Sequence, residues 1–514
     1  SVQVEIEELQ TLTTKLLDVG VAISSEIDLY ALLTRIIDEA KNLLKAERGT
    51  LYLVDKNTNE LYFHVTDAAQ IKEVRIPIND QSISGHVAFT RQQLNIPDVY
   101  KLGKNTTYSF NKAIDRRTGY RTKSMLTVPM LNHENNVTGV VQLINKNIDG
   151  KVQCFSQRDQ RILMSLASQA AVAIENAQLY KEIADLFEAF IRYSSSAIDE
   201  RDPATAGHSR RVAMYATAVA RAMGCFSDEQ IKELNYAAWL HDVGKIGVRE
   251  QILVKENKLY PHQFEKVVER FSSIKLSIAM KYMHERTKLL LKKEKPPKFA
   301  ELDAKLRKEL ELTDGELEFI RNINKPGFVN KDDMGRLEKI AKKKYIDADG
   351  NKHTYLTPDE LESLAVVRGN LTGEERDIMN AHATSTYRIL SQIPFTQNLK
   401  LVPEIAASHH EKLDGSGYPR GLKSKHLTLQ SKIIALVDIY DALTAQDRPY
   451  KPAMPVDRSL QILEFEVKDK HLDPGVYKVF IDNKIYEMKD PGDDFSARNI
   501  VKSFTERKKK KVAG

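Results

Sequence analysis

The sequence predicts an α+β N-terminal domain with an antiparallel sheet and helices, joined by a long helix to an all-α domain. Up to about residue 160, amphipathic helical stretches alternate with segments rich in β-branched and aromatic residues. From Gln157 to about Asp199 the chain contains neither Gly nor Pro and repeats apolar residues at helical spacing. From Arg201 onward the pattern is almost entirely helical, with Gly and Pro in short loops. The strand-like segments are 50–54, 61–65, 124–130 and 139–144.

The length of 514 residues is enough for two to four domains. We place the first domain at 1–180, with a linker helix that continues to about residue 200, and the second domain at 201–490. The second domain is expected to contain an insertion at about 258–369, and residues 491–514 form a charged C-terminal tail. Because the chain begins with Ser1 instead of Met, additional upstream residues are an open alternative.

The linker helix is the predicted contact between two copies of the chain. A helix of roughly 40 residues would be near 60 Å long at about 1.5 Å per residue, which exceeds what a small domain covers. We therefore expect the helix to pair with its counterpart in a homodimer. Two shorter helices that break near Glu182 are the alternative, because the heptad pattern is loose.

The composition is that of an ordinary globular protein, with 42% hydrophobic and 29% charged residues. Cys154 and Cys225 lack partners at the spacing of a metal knuckle or a redox pair, which indicates a reducing compartment. Much of the net charge of +6 lies in the basic run 507–511, so we expect a solvated end and no duplex nucleic acid as partner. No apolar run reaches about 18 residues and the first residues are acidic, so we expect no membrane span, no signal peptide and a cytoplasmic location.

A set of histidines and aspartates predicts a metal centre in the second domain. His241 and Asp242 end an apolar helical run, where the imidazole can bind one metal ion and the carboxylate can bridge to a second. Asp438 lies among aliphatic residues, where a buried carboxylate would cost several kcal/mol without a cation or hydrogen-bond donors. Each histidine alone would be interpreted as an ordinary imidazole, whereas the set favours iron, manganese, nickel or zinc. The candidate ligands are His208, His241, Asp242, His382, His409, His410 and Asp438.

Two further stretches suit a nucleotide. The loop Glu411–Leu422 contains three glycines and a proline, which permit close backbone approach, and Tyr418 offers a ring for base stacking. Arg448 and Lys451 flank a rigid turn and could clamp phosphate oxygens. An ordinary surface turn is the alternative for the glycine-rich loop. The candidate substrate-binding residues are Lys245, Gly417, Tyr418, Pro419, Arg448 and Lys451.

Residues from about 200 to 490 resemble an HD-GYP domain, the branch of the HD superfamily that contains cyclic di-GMP phosphodiesterases. The matching motifs are HDVGK at 241–245, HHEKLDGSGYPRGL at 409–422 and DIYDALTAQDRPYK at 438–451. The resemblance implies a helical, metal-dependent domain that linearises cyclic di-GMP to pGpG, with further hydrolysis to GMP left open. It also implies that the seven candidate residues are the metal ligands, with Asp242 bridging. Asp242 and Lys245 would be the catalytic residues, while Arg448 and Lys451 would hold phosphates.

The sequence departs from the HD-GYP pattern at two places. Family members with a third metal carry a glutamate four residues before the first histidine, and Ala204 occupies that position here. We therefore expect two divalent ions, iron or manganese, and no third. The segment between Asp438 and Arg448 is also one residue longer than usual. A non-catalytic cyclic-dinucleotide sensor and an HD-type phosphohydrolase of another nucleotide, such as cyclic GMP-AMP, are the alternatives, because nothing in the sequence fixes the base.

The N-terminal domain resembles a GAF domain over residues 10–180. The match is clearest in DRRTGYRTKSMLTVPM at 115–130 and GVVQLINK at 139–146, and it is closest to the GAF domains of cyclic-nucleotide phosphodiesterases and cyclases. The resemblance implies a small ligand such as a cyclic nucleotide. Four signature positions match and the fifth, a glutamate in the family, is glutamine here; they are Asn145, Lys146, Phe155, Asp159 and Gln160.

Overall fold

The computed structural model describes residues 20, 28–67, 70–201, 207–293, 295–347, 349–445 and 453–490. The predicted tail at 491–514 lies outside the described residues, as do Ala204, Arg448 and Lys451. The chain divides into two compact units, Ser1–Glu188 and Ala189–Gly514. Among the described residues, none of the helices combines the length and the apolar character that crossing a bilayer requires.

The first unit is built on a seven-stranded antiparallel sheet with the order β3-β2-β1-β6-β5-β4, and β7 pairs with β6. The predicted strand segments 50–54, 61–65 and 139–144 fall within β1, β2 and β6, and the segment 124–130 begins one residue before β5. One helix precedes the strands and two shorter helices lie between them. The helices are α1 (Leu29–Leu44), α2 (Ile83–Thr90) and α3 (Ala113–Thr118). The strands are β1 (Ala46–Asp55), β2 (Glu60–Asp67), β3 (Gln70–Pro77), β4 (Leu94–Ile96), β5 (Met125–Leu131), β6 (Val137–Ile148) and β7 (Lys151–Gln153).

Apolar periodicity explains the core of this unit. Asp28 caps α1 by accepting a hydrogen bond from the backbone of Ala31, and the helix then buries a residue on each turn, including Leu32 and Ile36. These side chains join Leu163 and other residues at the start of the long helix in one hydrophobic cluster with the sheet. The observed α+β unit with an antiparallel sheet matches the predicted fold class.

The long helix α4 runs without interruption from Gln157 to Asp199. Its 43 residues extend about 65 Å at about 1.5 Å per residue, so the prediction of one continuous helix is confirmed and the break near Glu182 is not found. Exposed apolar residues follow one face at intervals of seven, four, three, four and three residues. We call this set the α4 seam; it consists of Val172, Leu179, Ile183, Leu186, Phe190 and Tyr193, which are 47–76% exposed.

The second unit is mostly helical, as predicted. It also contains two short two-stranded sheets, which the sequence did not indicate. The helices are α5 (His208–Met223), α6 (Asp228–Leu240), α7 (Glu250–Leu253), α8 (Pro261–Leu291), α9 (Pro296–Ile323), α10 (Lys331–Ala341), α11 (Pro358–Leu364), α12 (Gly373–Leu390), α13 (Val402–Ala407), α14 (Leu429–Thr444), α15 (Val456–Lys468) and α16 (Pro474–Asp482). One sheet pairs β8 (Gly327–Phe328) with β11 (Arg368–Gly369), which are distant in sequence, and the other is a hairpin of β9 (Lys344–Ile346) and β10 (Lys352–Thr354).

The segment predicted as an insertion, 258–369, has a hydrophobic cluster of its own. Phe271 and Ile274 of α8 pack with Ile320 of α9 in that cluster. The two ends of the segment are held together by Lys258, which is fully buried and donates hydrogen bonds to the carbonyl oxygens of Leu364 (3.3 Å) and Val366 (2.8 Å).

Candidate metal centre

Three histidines in the second unit are oriented by the same backbone arrangement. In His241, His382 and His409, Nδ1 lies 2.7, 2.7 and 2.6 Å from the carbonyl oxygen of the residue three positions earlier. A carbonyl only accepts hydrogen bonds, so Nδ1 carries the proton and Nε2 is the nitrogen left for a cation. The Nε2 atoms of His382 and His409 lie 3.5 Å apart, and all three rings point into one buried space.

Two carboxylates lie between the imidazoles. Asp242 directs Oδ1 toward His382 Nε2, at 3.4 Å, and Oδ2 toward His241 Nε2, at 3.7 Å. Asp438, in α14, places Oδ1 3.1 Å from His208 Nε2 and Oδ2 4.0 Å from His410 Nδ1. Each carboxylate therefore faces a different histidine through each of its two oxygens, which is the arrangement that a bridging ligand requires.

All seven predicted ligands come together. Their ligand atoms form three overlapping groups, in each of which the atoms lie within 4.8 Å of one another. Neutral imidazoles and carboxylates are suitable donors for iron, manganese, nickel and zinc, so the donor set fits a cluster of divalent ions. The groups are His208, His241 and Asp438; His241, Asp242 and His409; and His382, His409 and His410.

Sequence reasoning missed the support of His208, the first residue of α5. Its Nδ1 lies 2.8 Å from Oδ2 of Asp441, and the buried Arg211 holds that carboxylate through Nε (2.7 Å) and Nη2 (3.0 Å). The available signal is a second carboxylate one helical turn beyond Asp438 in the same apolar helix. Such an outer partner fixes the orientation of a ligating ring.

The turn after His241 is packed tightly against α12. The Thr386 hydroxyl lies 3.0 Å from the His241 carbonyl oxygen, to which it donates, and it accepts from the Gly244 backbone nitrogen, also at 3.0 Å. A Cβ at Gly244 would overlap the backbone of His382 and of Thr386. Only glycine fits at this position, which keeps the turn beside the helix that carries His382.

Lys245 extends along the same turn. Its Nζ lies 2.7 Å from Oδ2 of Asp242, and its side chain is mostly buried. This ion pair places a cation beside a predicted bridging carboxylate at the edge of the cluster. An anion that reached the cluster would therefore meet the Lys245 ammonium group there.

The electrostatics of the cluster favour charged carboxylates and neutral rings at most positions. Burial opposes the charge of Asp242, but Lys245 and the histidines outweigh it and hold the pKa of that carboxyl well below its usual value. Burial lowers the pKa of His410 to about 4 and that of His409 well below its usual range. These are the protonation states that bind metal ions.

His208 and His241 are the exceptions in protonation. Burial disfavours the charge of His241, but Asp242 and Asp438 outweigh burial and raise the pKa of that ring. The effect on His208 is larger: burial again disfavours the charge, but the hydrogen bonds to Asp438 and Asp441 prevail and raise the pKa of His208 to about 10. The raised pKa favours a proton on His208, whose Nε2 lies 3.1 Å from Oδ1 of Asp438. A bound cation would replace that proton.

The glycine-rich loop lies beside the cluster and is not a detached surface turn. The Tyr418 ring is 4.6 Å from that of His410 between centroids, and its backbone nitrogen donates to the His410 carbonyl oxygen (3.2 Å). The buried Glu411 accepts from the backbone nitrogens of Arg420 and Leu422, both at 2.8 Å. A Cβ at Gly417 would overlap the backbone at 410–412. The loop, in which Pro419 follows Tyr418, thus places the Tyr418 ring beside two predicted ligands, His410 and His382.

Comparison with protein-family models assigns the domains. A GAF domain model matches residues 28–174, and two HD domain models match residues 205–306 and 354–476. The chain carries a GAF domain followed by an HD domain. The candidate metal centre draws its ligands from both matched stretches of the HD domain, and Asp438 and the glycine-rich loop lie in the second.

Several curated proteins are similar to parts of the chain. The "3'3'-cGAMP-specific phosphodiesterase 3" of Vibrio cholerae is 27% identical over 306 residues, which are 59% of this chain and 39% of that protein. The "Cyclic di-GMP phosphodiesterase" of Thermotoga maritima is 41% identical over 113 residues, 22% of this chain and 30% of that protein. The "Dual 3',5'-cyclic-AMP and -GMP phosphodiesterase 11" of Drosophila melanogaster is 34% identical over 176 residues, 31% of this chain and 12% of that protein. The chain thus spans well under half the length of these relatives.

The signature residues of the GAF domain form hydrogen bonds and an ion pair with other residues of the same domain. Lys146 Nζ lies 2.5 Å from Oδ2 of Asp159 at the start of α4. Asn145, which is buried, accepts from the backbone nitrogen of Lys123 (2.7 Å) and donates to the Tyr120 hydroxyl (2.8 Å). These contacts join β6 to the segment before β5 and to the long helix. Phe155 is buried, and Gln160 at the fifth position accepts a hydrogen bond from Gln93 (3.3 Å).

Proposed function

We propose that this chain is a metal-dependent phosphodiesterase that hydrolyses cyclic di-GMP to pGpG, with GMP as a further product. The observation that carries the proposal is the convergence of five imidazoles and two carboxylates on one space, with Lys245 at its edge. The names of the bacterial relatives support a cyclic dinucleotide as the substrate class. Cyclic GMP-AMP is the alternative substrate, since one relative is named for it.

In this proposal two divalent ions, iron or manganese, are held by His208, His241, Asp242, His382, His409, His410 and Asp438. The position of Ala204 argues against a third. When bound, the ions would supply Lewis acidity toward water and a phosphodiester. Asp242 and Asp438 would hold the ions together with the histidines, because each carboxylate faces histidines through both oxygens.

The other residues would act on the nucleotide. Lys245 would place its ammonium group against a phosphate oxygen and neutralise charge that develops there. The ring of Tyr418, half-buried beside His410, would stack on a base at the mouth of the cluster. Arg448 and Lys451 remain predicted phosphate contacts. A small ligand such as a cyclic nucleotide in the GAF domain would control the reaction.

Turnover of cyclic di-GMP by the full-length protein tests the proposal. We expect hydrolysis to pGpG with Mn²⁺ or Fe²⁺, loss of at least about 99% of the rate after chelation, and recovery on adding metal back, because metal ions are required for the chemistry. Elemental analysis should give two ions per chain. Unchanged cyclic di-GMP in the metal-loaded protein would favour the non-catalytic sensor, and preferential hydrolysis of cyclic GMP-AMP would reassign the substrate.

A change of turnover on adding cyclic AMP or cyclic GMP would support control by the GAF domain, and no change would count against it.

We also propose that the chain forms a homodimer through the α4 seam. The seam has the spacing of coiled-coil core positions, and its six side chains are exposed in the single chain. The double variant Ile183→Glu/Leu186→Glu should shift the mass in solution from two chains to one, as measured by analytical ultracentrifugation. Tyr180→Glu is the control, because Tyr180 is equally exposed but lies outside the seam. A monomeric parent protein, or a dimer that survives the double substitution, would refute the proposal that the chain dimerises through the α4 seam.

A further inference from the structure

The last three turns of α4 are built into the second unit. Ile191, Ser195, Ile198 and Asp199 recur at helical spacing and are all buried, although Ser195 and Asp199 are polar. Phe190 and Tyr193, in contrast, are exposed on the same stretch. Buried polar side chains at the end of a helix require partners. The partners of Ser195 and Asp199 therefore show which parts of the second unit this end of the helix contacts.

Asp199 caps the helix that carries His208. Helix α5 begins at His208, and the residue before it, Gly207, has no side chain to cap the exposed backbone amides. The carboxylate of Asp199 accepts from the Ser209 hydroxyl (2.9 Å) and the Ser209 backbone nitrogen (3.3 Å). An acidic group at a helix N-terminus is stabilising, and here it comes from the preceding helix. The cap therefore holds the residue next to His208.

Two more contacts reach residues close to His241 and Lys245. The Ser195 hydroxyl donates to the carbonyl oxygen of Trp239 (2.5 Å), two residues before His241. Just beyond the end of α4, Arg201 Nη1 donates to the carbonyl oxygen of Ile246 (2.9 Å), the residue after Lys245. The end of the linker helix thus touches three separate segments, and each contact falls within two residues of a predicted site residue.

We infer that Ser195, Asp199 and Arg201 are positioning residues through which the linker helix sets the relative placement of His208, His241 and Lys245. The inference rests on the proposed metal centre. A small displacement of α4 would act on all three segments together, because hydrogen bonds weaken steeply once their geometry is lost. Misplacement of reacting groups by about 1 Å can cost about a hundredfold in rate. The linker helix is then a physical connection between the GAF domain and the cluster.

Alanine substitutions in the full-length protein test the inference. Asp199→Ala and Ser195→Ala remove two of the contacts, while Glu200→Ala and Ser196→Ala are matched controls at exposed neighbouring positions. We expect both test variants to weaken Mn²⁺ binding, titrated calorimetrically into metal-free protein, by about tenfold, as for other outer partners of a metal site. We expect kcat to fall with little change in KM. The controls should stay within about twofold of the parent protein, and Asp199→Asn, which keeps one acceptor, should recover part of the loss.

A second measurement separates positioning from simple stabilisation. Amide hydrogen exchange of the metal-free variants should accelerate at 208–212 for Asp199→Ala and at 239–246 for Ser195→Ala. A lowered unfolding temperature together with parental Mn²⁺ affinity and parental exchange in these segments would overturn the inference. If the parent protein binds Mn²⁺ but leaves cyclic di-GMP intact, only the proposed substrate is refuted. The Mn²⁺ affinities of the variants then still test the positioning role of Ser195 and Asp199. If the parent protein binds no Mn²⁺, the proposed metal centre is refuted. The hydrogen-exchange rates at 208–212 and 239–246 then show whether Asp199 and Ser195 still hold these segments in place.

Discussion

Asp242→Ala is expected to reduce kcat for cyclic di-GMP by at least about a thousandfold, more than the 10- to 100-fold effect of losing an outer partner of a metal site. The carboxylate faces His382 through one oxygen and His241 through the other, so its loss removes donors from both sides of the cluster. It also removes a carboxylate that lies 2.7 Å from the Lys245 ammonium group. Steady-state kinetics with excess Mn²⁺, together with elemental analysis, should show both the lost rate and fewer than two ions per chain.

Asp377→Ala is the matched control for this substitution. It removes a carboxylate from an exposed position of α12, the helix that carries His382, and should leave both kcat and metal content unchanged. A variant lacking the Asp242 carboxylate that still held two ions and turned over at the parental rate would remove the basis for the proposed centre.

Gly244→Ala is expected to cost about a hundredfold in kcat, because a misplacement near 1 Å can have an effect of that size. The added Cβ would overlap the backbone of His382 and of Thr386, so the turn must move away from α12. The overpacking should also lower the free energy of unfolding by about 1–3 kcal/mol. Kinetics and chemical denaturation of the same preparation would measure the two effects.

Gly247→Ala provides the control within the same turn. A Cβ there would have its nearest neighbour 3.9 Å away, at the Ser385 hydroxyl, which is ordinary contact. We expect parental stability and rate for this variant. Equal effects at the two glycines would mean that the turn tolerates or resists alanine for a reason other than its contact with α12.

The sequence predicted the large elements of the fold because their patterns are long. The Gly- and Pro-free run of α4 and the β-branched segments of β1, β2, β5 and β6 each supply several residues of consistent signal. Short strands such as β4, with three residues, supply too little signal to detect. The strands of the two small sheets in the second unit are likewise only two or three residues long, so their pairing depends on tertiary contacts.

The composition of the candidate centre was predictable, but its orientation was not. Histidines and aspartates at the ends of apolar helices, or within them, indicate which residues can meet. Nothing in the sequence states that Asp441 and Arg211 support His208, because this network forms only when α5 and α14 pack together. The contacts of Ser195 and Asp199 were hidden for the same reason: serine and aspartate near a helix end are ordinary residues until their partners are known.

The carbonyl oxygens that accept from His241, His382 and His409 fix the orientation of these rings before the centre would take up its ions. Each ring is restrained by backbone only three residues away, so its orientation is fixed as soon as that stretch of chain folds. The entropy of ordering these side chains is then lost during folding and not during uptake of an ion. The centre is preorganised, and its affinity for different divalent ions would depend on ionic size and ligand preference instead of on rearrangement of the protein.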